Sequence, residues 1–215
     1  MDPKKKIIIV GARENGHPSV VFDAINSGDD YEVVGFIDEN LNAEGTCFGL
    51  PAWPKKGFDL KSQKGRSFII ATGCGKTRNR LSDELTASGL HPANIIHPTA
   101  IISQSANLGV GIFIGPGAII NFGVVLGNNV LVNSGAIVEH DVEVDRGATV
   151  GPGVIIAGRA KVGIESAIGI GACIIQDISI GHHCKVAGNS LVKEDIPDNT
   201  RFNRSQKKIE PDAAD

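Results

Sequence analysis

One short segment carries residue types suited to proton transfer. Val138-Glu139-His140-Asp141 sets an imidazole between two carboxylates. A neutral histidine with a carboxylate partner can serve as a general base near pH 7. A solvated histidine at a turn would leave the same trace, so spacing alone keeps both roles open. The remaining histidines offer less. His182-His183 has no adjacent carboxylate, His97 precedes Pro98, and His17 and His91 lie in another part of the chain. No compact three-histidine set emerges, so no metal site is expected.

A second candidate is the turn Gly11-Ala12-Arg13-Glu14-Asn15-Gly16-His17-Pro18. Gly11 and Gly16 are spaced like the outer glycines of a phosphate-binding loop, but His17-Pro18 stands where that loop requires Lys and Ser/Thr. What remains is a strand, a glycine turn and a helix N-terminus, which aims backbone N–H groups at an anion. Asp38 ends the next strand, where a carboxylate can take a ribose hydroxyl. The turn fits nucleotide-type binding, or a degenerate sheet that binds nothing.

The elements that must position these residues are legible in the periodicity. From Ile96 to Val192 every sixth residue is aliphatic, through Ile102, Leu108, Ile114, Ile120, Leu126, Val132, Val138, Val144, Val150, Ile156, Val162, Ile168, Ile174, Ile180 and Val186. Neither a helix nor an alternating strand has this period. A parallel β-solenoid does, each flat face advancing one hexad and three faces closing a coil. Small or aliphatic residues recur four places later, such as Ala136, Ala148 and Ala160. Glycine often follows directly, as at Gly109, Gly115, Gly127, Gly151, Gly163, Gly169 and Gly181, where a tight corner with positive φ is expected.

Residues 91–195 are assigned to this solenoid, and residues 196–215, where the period is lost, to a tail. Residues 1–90 read differently. Strands are expected at Ile7–Val10, Val33–Ile37 and Ser67–Ala71, with helices from Pro18 to about Ser27 and from Thr77 to Ser88. That alternation is of Rossmann-like type, with 44–66 read as irregular.

Composition narrows the function classes. The chain has 215 residues, 27 of them glycine, and a net charge of −3, which gives no case for nucleic acid or an anionic membrane surface. No apolar run is long enough to span a bilayer, and no leader segment is seen. The four cysteines lack paired spacing and read as reduced thiols of a cytoplasmic protein.

These features together resemble the left-handed β-helix (hexapeptide-repeat) acyltransferases. The N-terminal part resembles the companion domain of the bacterial sugar acetyltransferases that act on nucleotide-linked amino sugars or sialic acid. Gly16-His17 matches that subgroup's Gly-His, and Asp38-Glu39 its acidic pair after the second strand. Ala71-Thr72-Gly73 with Arg78 is similar to its A-I-G…R segment. Ile120-Asn121, Asn133-Ser134-Gly135-Ala136 and Val138-Glu139-His140-Asp141 are similar to its solenoid motifs, so the likeness runs over residues 6–209.

The resemblance implies a left-handed solenoid, acetyl-CoA as co-substrate, a nucleotide-linked amino sugar as acceptor, and a homotrimer with acetyl-CoA between neighbouring solenoids. It implies His140 as base and Asp141 as its partner. It places Gly158, Ile170, Gly188 and Lys207 at the coenzyme. It puts Gly11, Gly16, His17, Asp38, Glu39, Gly73 and Arg78 around the nucleotide, and Asn121 and Asn133 near the sugar. The departures are the glycine-poor first loop, Cys74-Gly75 after the third strand, Thr149 where some members carry histidine, and Asn203–Lys207 in place of G-x-P-A-K. Three alternatives remain: O-acetylation of sialic acid, a metal-dependent hexapeptide protein of carbonic-anhydrase type, and a non-catalytic scaffold.

Overall fold

The computed structural model describes residues 3–203. The first half is a six-stranded sheet with two helices. In chain order its elements are β1 (Lys5–Val10), α1 (His17–Asn26), β2 (Tyr31–Asp38), β3 (Gly45–Cys47), β4 (Leu50–Pro54), β5 (Ser67–Ile70), α2 (Gly75–Ala87) and β6 (His91–Pro92). The strand order is β3-β4-β2-β1-β5-β6, parallel except for the β3–β4 hairpin. The apolar run Ile7-Ile8-Ile9-Val10 is buried on both sides, as a central parallel strand requires. The stretch 44–66 is not irregular throughout. Gly49, at φ +72, and Phe48, at φ +50, let the chain reverse between β3 and β4, and a short 3-10 turn follows at Leu60–Gln63.

From Ile95 onward the chain winds into a left-handed parallel β-helix of two-residue strands on three faces. The first face stacks Ile95–Ile96, Phe113–Ile114, Leu131–Val132, Thr149–Val150, Ala167–Ile168 and Lys185–Val186. The second runs from Ile101–Ile102 to Leu191–Val192, and the third from Asn107–Leu108 to Ser179–Ile180. Each strand pairs with the one a full coil above, as Val132 with Val150 and Val138 with Ile156.

The inward column from Ile114 to Val192 forms one continuous apolar core. Its lowest members differ. Ile96 is 40% exposed, and Ile102 and Leu108 are only partly buried, because no coil lies beneath them. At the other end, Ile196 bridges Ile180 and Arg201–Phe202 pairs with Lys185–Val186, so pairing continues past residue 196. The sequence period fails there because this coil is shorter. Ile180 and Ile196 are sixteen residues apart, against eighteen between Ile168 and Val186.

The corner glycines need a correction. Positive φ falls three places after the inward residue, at Gly111, Gly147 and Gly171, and equally at Asn129, Asp141, Arg159 and His183. The glycines directly after the inward residue are there for close approach instead. A Cβ on Gly151 would stand 2.6 Å from the Ile168 carbonyl oxygen, and one on Gly163 2.6 Å from the Gly181 carbonyl carbon.

The two halves share a core. On the first face, the outward side chains of Ile95, Phe113 and Leu131 are buried against Ile7, Ile9, Val21 and Ala24 of the α/β sheet and α1. The sheet and α1 therefore sit on the outside of one β-helix face, and α2 meets a corner.

Candidate active site

Two groups of candidate residues are built by different means. The first is a cleft of about 340 Å³ at the carboxyl ends of β1, β2 and β5, where ligands bind in open parallel sheets. It is lined by Gly11, Arg13, Gly16, His17, Asp38, Glu39, Asn40, Thr72, Gly73 and Thr77, among others. Six expected nucleotide residues thus converge: Gly11, Gly16, His17, Asp38, Glu39 and Gly73. Asp38 organises the cleft. Its Oδ2 accepts the Ala12 backbone N–H at 2.9 Å, and its Oδ1 accepts the Asn40 backbone N–H at 2.8 Å. Glu39 accepts hydrogen bonds from Arg80 at 3.0 Å and from Lys55 at 3.2 Å, and the Arg80 bond above all holds its carboxyl below the usual range.

His17 opens α1 and sets its ring edge-on to Phe113, with centroids 5.0 Å apart. The residue is half-buried, but its Nε2 is sealed from solvent and has no hydrogen-bond partner among the described residues. Burial, and secondarily the Arg78 charge, lowers its pKa to about 4. The ring is neutral at neutral pH, with one buried nitrogen unsatisfied.

Arg78 does not line the cleft. It is 2% exposed, and its guanidinium is spent on backbone carbonyls and one hydroxyl of the β-helix and on the Thr72 carbonyl. The physical reason is helical geometry: Arg78 lies in the first turn of α2, on the face turned to the β-helix.

The second group is at the corner between the second and third β-helix faces. Asp141 holds the corner at φ +57. Its Oδ2 is 3.0 Å from His140 Nδ1, which leaves His140 Nε2 as the free nitrogen. One coil above, a Cβ on Gly158 would stand 2.6 Å from His140 Nε2, so only glycine lets the imidazole lie against that backbone. Next to it, Arg159 pairs with Asp177, Nε to Oδ1 at 2.6 Å and Nη2 to Oδ2 at 2.8 Å. That hydrogen-bonded pairing raises the Arg159 pKa and lowers that of Asp177. Sequence reading passed over Arg159 and Asp177, yet each lies eighteen residues after a residue of its own corner, Asp141 and then Arg159. Asn121 is one coil below Glu139, its N–H donating to the Val138 carbonyl at 3.0 Å.

Other expected residues lie elsewhere in the same chain. Ile170, 61% exposed, and Gly188 stack at the corner between the first and second faces. Asn133 begins that same corner, its Oδ1 accepting the Ser134 N–H at 2.8 Å. Lys207 lies outside the described residues. Among the described residues no His, Cys, Asp and Glu group of three or more could hold a metal ion.

Similarity to known proteins follows this layout. The PglD N-terminal domain family matches residues 6–85. A curated relative, UDP-N-acetylbacillosamine N-acetyltransferase of Bacillus subtilis (strain 168), is 31% identical over 115 residues, 51% of this chain and 51% of the relative. The match therefore spans about half the length of that relative. Solved structures match nearly end to end. A His-to-Ala variant of GDP-perosamine N-acetyltransferase from Caulobacter crescentus, in complex with CoA and GDP-perosamine, overlays with a TM-score of 0.87 at 26% identity, over 96% of this chain and 97% of that one. The acetyltransferase domain of PglB from Neisseria gonorrhoeae, with acetyl coenzyme A, overlays at 0.83 and 28% identity, over 93% and 96%. End to end, the chain is thus similar to left-handed β-helix, hexapeptide-repeat sugar acetyltransferases, with residues 6–85 matching the PglD N-terminal domain.

Proposed function

We propose that this protein transfers acetyl from acetyl-CoA to the amino group of a nucleotide-linked amino sugar, as its similar proteins are named to do. The observation that carries the reading is the His140 dyad: Nδ1 on Asp141 at 3.0 Å, with Nε2 against the backbone of Gly158. An amine attacking a thioester carbonyl must shed a proton as the C–N bond forms, and His140 Nε2 takes it. Asp141 fixes the tautomer and supports the imidazolium. The Gly158 N–H stabilises the thioester oxygen as it becomes an oxyanion. The C–S bond then breaks, the proton passes from His140 to the departing thiolate, and no acyl-enzyme is needed.

The cleft of the α/β half binds the nucleotide, with Gly11, Gly16, His17, Asp38 and Gly73 supplying its walls. Asn121 lies on the His140 side of the β-helix and faces the sugar. Use of acetyl-CoA, a cytoplasmic metabolite, supports a cytoplasmic reaction.

The working unit is a homotrimer. In one chain, the base is at the second-to-third corner and Ile170 and Gly188 are at the first-to-second corner. Residues that far apart serve one site only if copies stand side by side, corner to corner. The second face supplies the contact surface. Its outward column is apolar throughout: Ile101, Ile119, Ile137, Ile155, Cys173 and Leu191, with Ile101 64% and Leu191 44% exposed. The matching column on the third face is mostly polar, with Asn107, Glu143, Lys161 and Ser179. Closed symmetry buries such a stripe.

The test is acetyl-CoA consumption with UDP-, dTDP- and GDP-linked 4-amino sugars and with sialic acids, with and without chelator. Turnover on one amino-sugar nucleotide, unaffected by chelator, is expected. Turnover on sialic acid alone would replace N- by O-acetylation. Loss with chelator would favour metal chemistry, and no turnover a scaffold.

A further inference from the structure

We propose that Arg78 is a positioning residue: it fixes the nucleotide cleft at a set distance from the β-helix that carries the base. This rests on the proposed acetyl transfer and adds to it a residue that acts without touching either substrate. Arg78 reaches to both sides of the joint between the halves. On the cleft side its Nη1 donates to the Thr72 carbonyl at 2.9 Å, inside the β5–α2 turn. On the β-helix side its Nε donates to Asn129 O at 2.9 Å, and its Nη2 to Gly147 O at 2.7 Å and to Thr149 Oγ1 at 2.9 Å. Thr149 then donates its hydroxyl to Gly73 O at 3.1 Å, which closes the ring back onto the cleft. Thr72 and Gly73 both line that cleft.

The chemistry of the contact argues for geometry rather than adhesion. Arg78 is 2% exposed and hydrogen-bonds to no carboxylate, and burial lowers its pKa to about 10, so it stays charged at neutral pH. Burying a cation on neutral carbonyls and one hydroxyl is costly, and an apolar side chain would glue two surfaces more cheaply. A planar guanidinium instead presents donors in a rigid fork, which sets direction and distance on both sides at once. The surroundings leave no slack. A Cβ on Gly75 would overlap the Gly147 carbonyl oxygen, and one on Gly147 would overlap the Asn79 amide. Asn79 itself bridges to Glu165 at 2.9 Å and to the Asn129 amide at 3.1 Å.

The experiment uses the full-length protein with Arg78→Lys, Thr149→Val and Gly147→Ala. Each is assayed for kcat, for both Michaelis constants and for Tm, with hydrogen exchange of the 71–77 segment as a reading independent of activity. Thr149→Val keeps the guanidinium but cuts the relay to Gly73, and it stands in if another variant fails to fold. Expected are a fall of about 10- to 100-fold in kcat/KM for the nucleotide sugar in Arg78→Lys and Gly147→Ala, and about 3- to 10-fold in Thr149→Val. The KM for acetyl-CoA should stay within about twofold, and exchange at 71–77 should quicken. Lower Tm with unchanged kinetics, or an equal loss in both Michaelis constants, would overturn the assignment alone. No transfer by the unaltered protein to any nucleotide-linked amino sugar would overturn the functional reading, and this assignment with it.

Discussion

The β-helix and the α/β half solve the same problem, burial of aliphatic surface, in opposite ways. In the β-helix each residue answers to its counterpart one coil away, so one rule repeated from Ile114 to Val192 builds the core. In the α/β half no contact repeats. Its cleft depends on single arrangements such as Asp38 on Ala12 and Asn40, and Glu14 accepting the Phe48 N–H at 2.7 Å. On the proposed reading, chemistry that tolerates no drift sits on the repeated scaffold, whereas substrate choice sits on the half where loops can vary.

The sharpest way to break this division is at the base. His140→Ala should lower turnover by roughly 10²–10⁴-fold, the usual worth of general-base catalysis, with folding and the proposed trimer intact. Asp141→Asn should act in the same direction but less, since it loosens the imidazole without removing it. Stopped assays at saturating substrates decide the point, and near-wild-type turnover in His140→Ala would end the proposed mechanism.

Next in size is a charge in the repeated core. Val150 is fully buried between Val132 and Ile168, so Val150→Asp leaves an unpaired carboxylate with no water and should cost several kcal/mol. Urea unfolding checks it. An unchanged midpoint would mean that the column is not the close-packed core described. By contrast Asp38→Ala, in the cleft, should raise the KM for the nucleotide sugar by about tenfold and change kcat little, because Asp38 shapes the turn and not the reaction. A pure kcat defect would remove the nucleotide role from this half.

The two regions also differed in how much of them the sequence disclosed. The inward column was readable because its period is a covalent fact, and the corner stack Asp141, Arg159, Asp177 follows from the same eighteen-residue coil. Gly11, Gly16 and Asp38 could be named because a strand, a turn and a helix start leave local marks, whereas His17 and Gly73 were named through the family resemblance. What stayed hidden was set by contacts between the halves. Arg78 looked like a ligand residue, and only the docking of α2 on the corner at Asn129 and Gly147 turns it inward. The glycines after each inward residue looked like positive-φ corners, because single-chain reasoning does not show the backbone of the coil above. The same count separates Ile170 from His140, since their spacing is not a whole number of eighteen-residue coils and so puts them at different corners.

The smallest effect expected tests His17, where the two halves touch. Its folded-state pKa of about 4 lies below the ordinary value of 6.5. The unfolded chain therefore binds more protons between those values, and stability rises with pH across that window. The neutral imidazole is compatible with the fold above pH 6.5. As pH falls from 6.5 towards 4, acid favours the unfolded chain, and below 4 the penalty is complete. His17→Phe keeps an aromatic ring against Phe113 but has nothing to protonate. Its urea midpoint relative to wild type should therefore be flat above pH 6.5 and should climb steadily from 6.5 down to 4. Because His17 also lines the proposed nucleotide cleft, the same variant should raise the KM for the nucleotide sugar at pH 7.5, where the stability difference no longer varies with pH. Parallel midpoints across the whole range would show that His17 is not held neutral by the fold. An unmoved KM would show that His17 does not shape the nucleotide cleft.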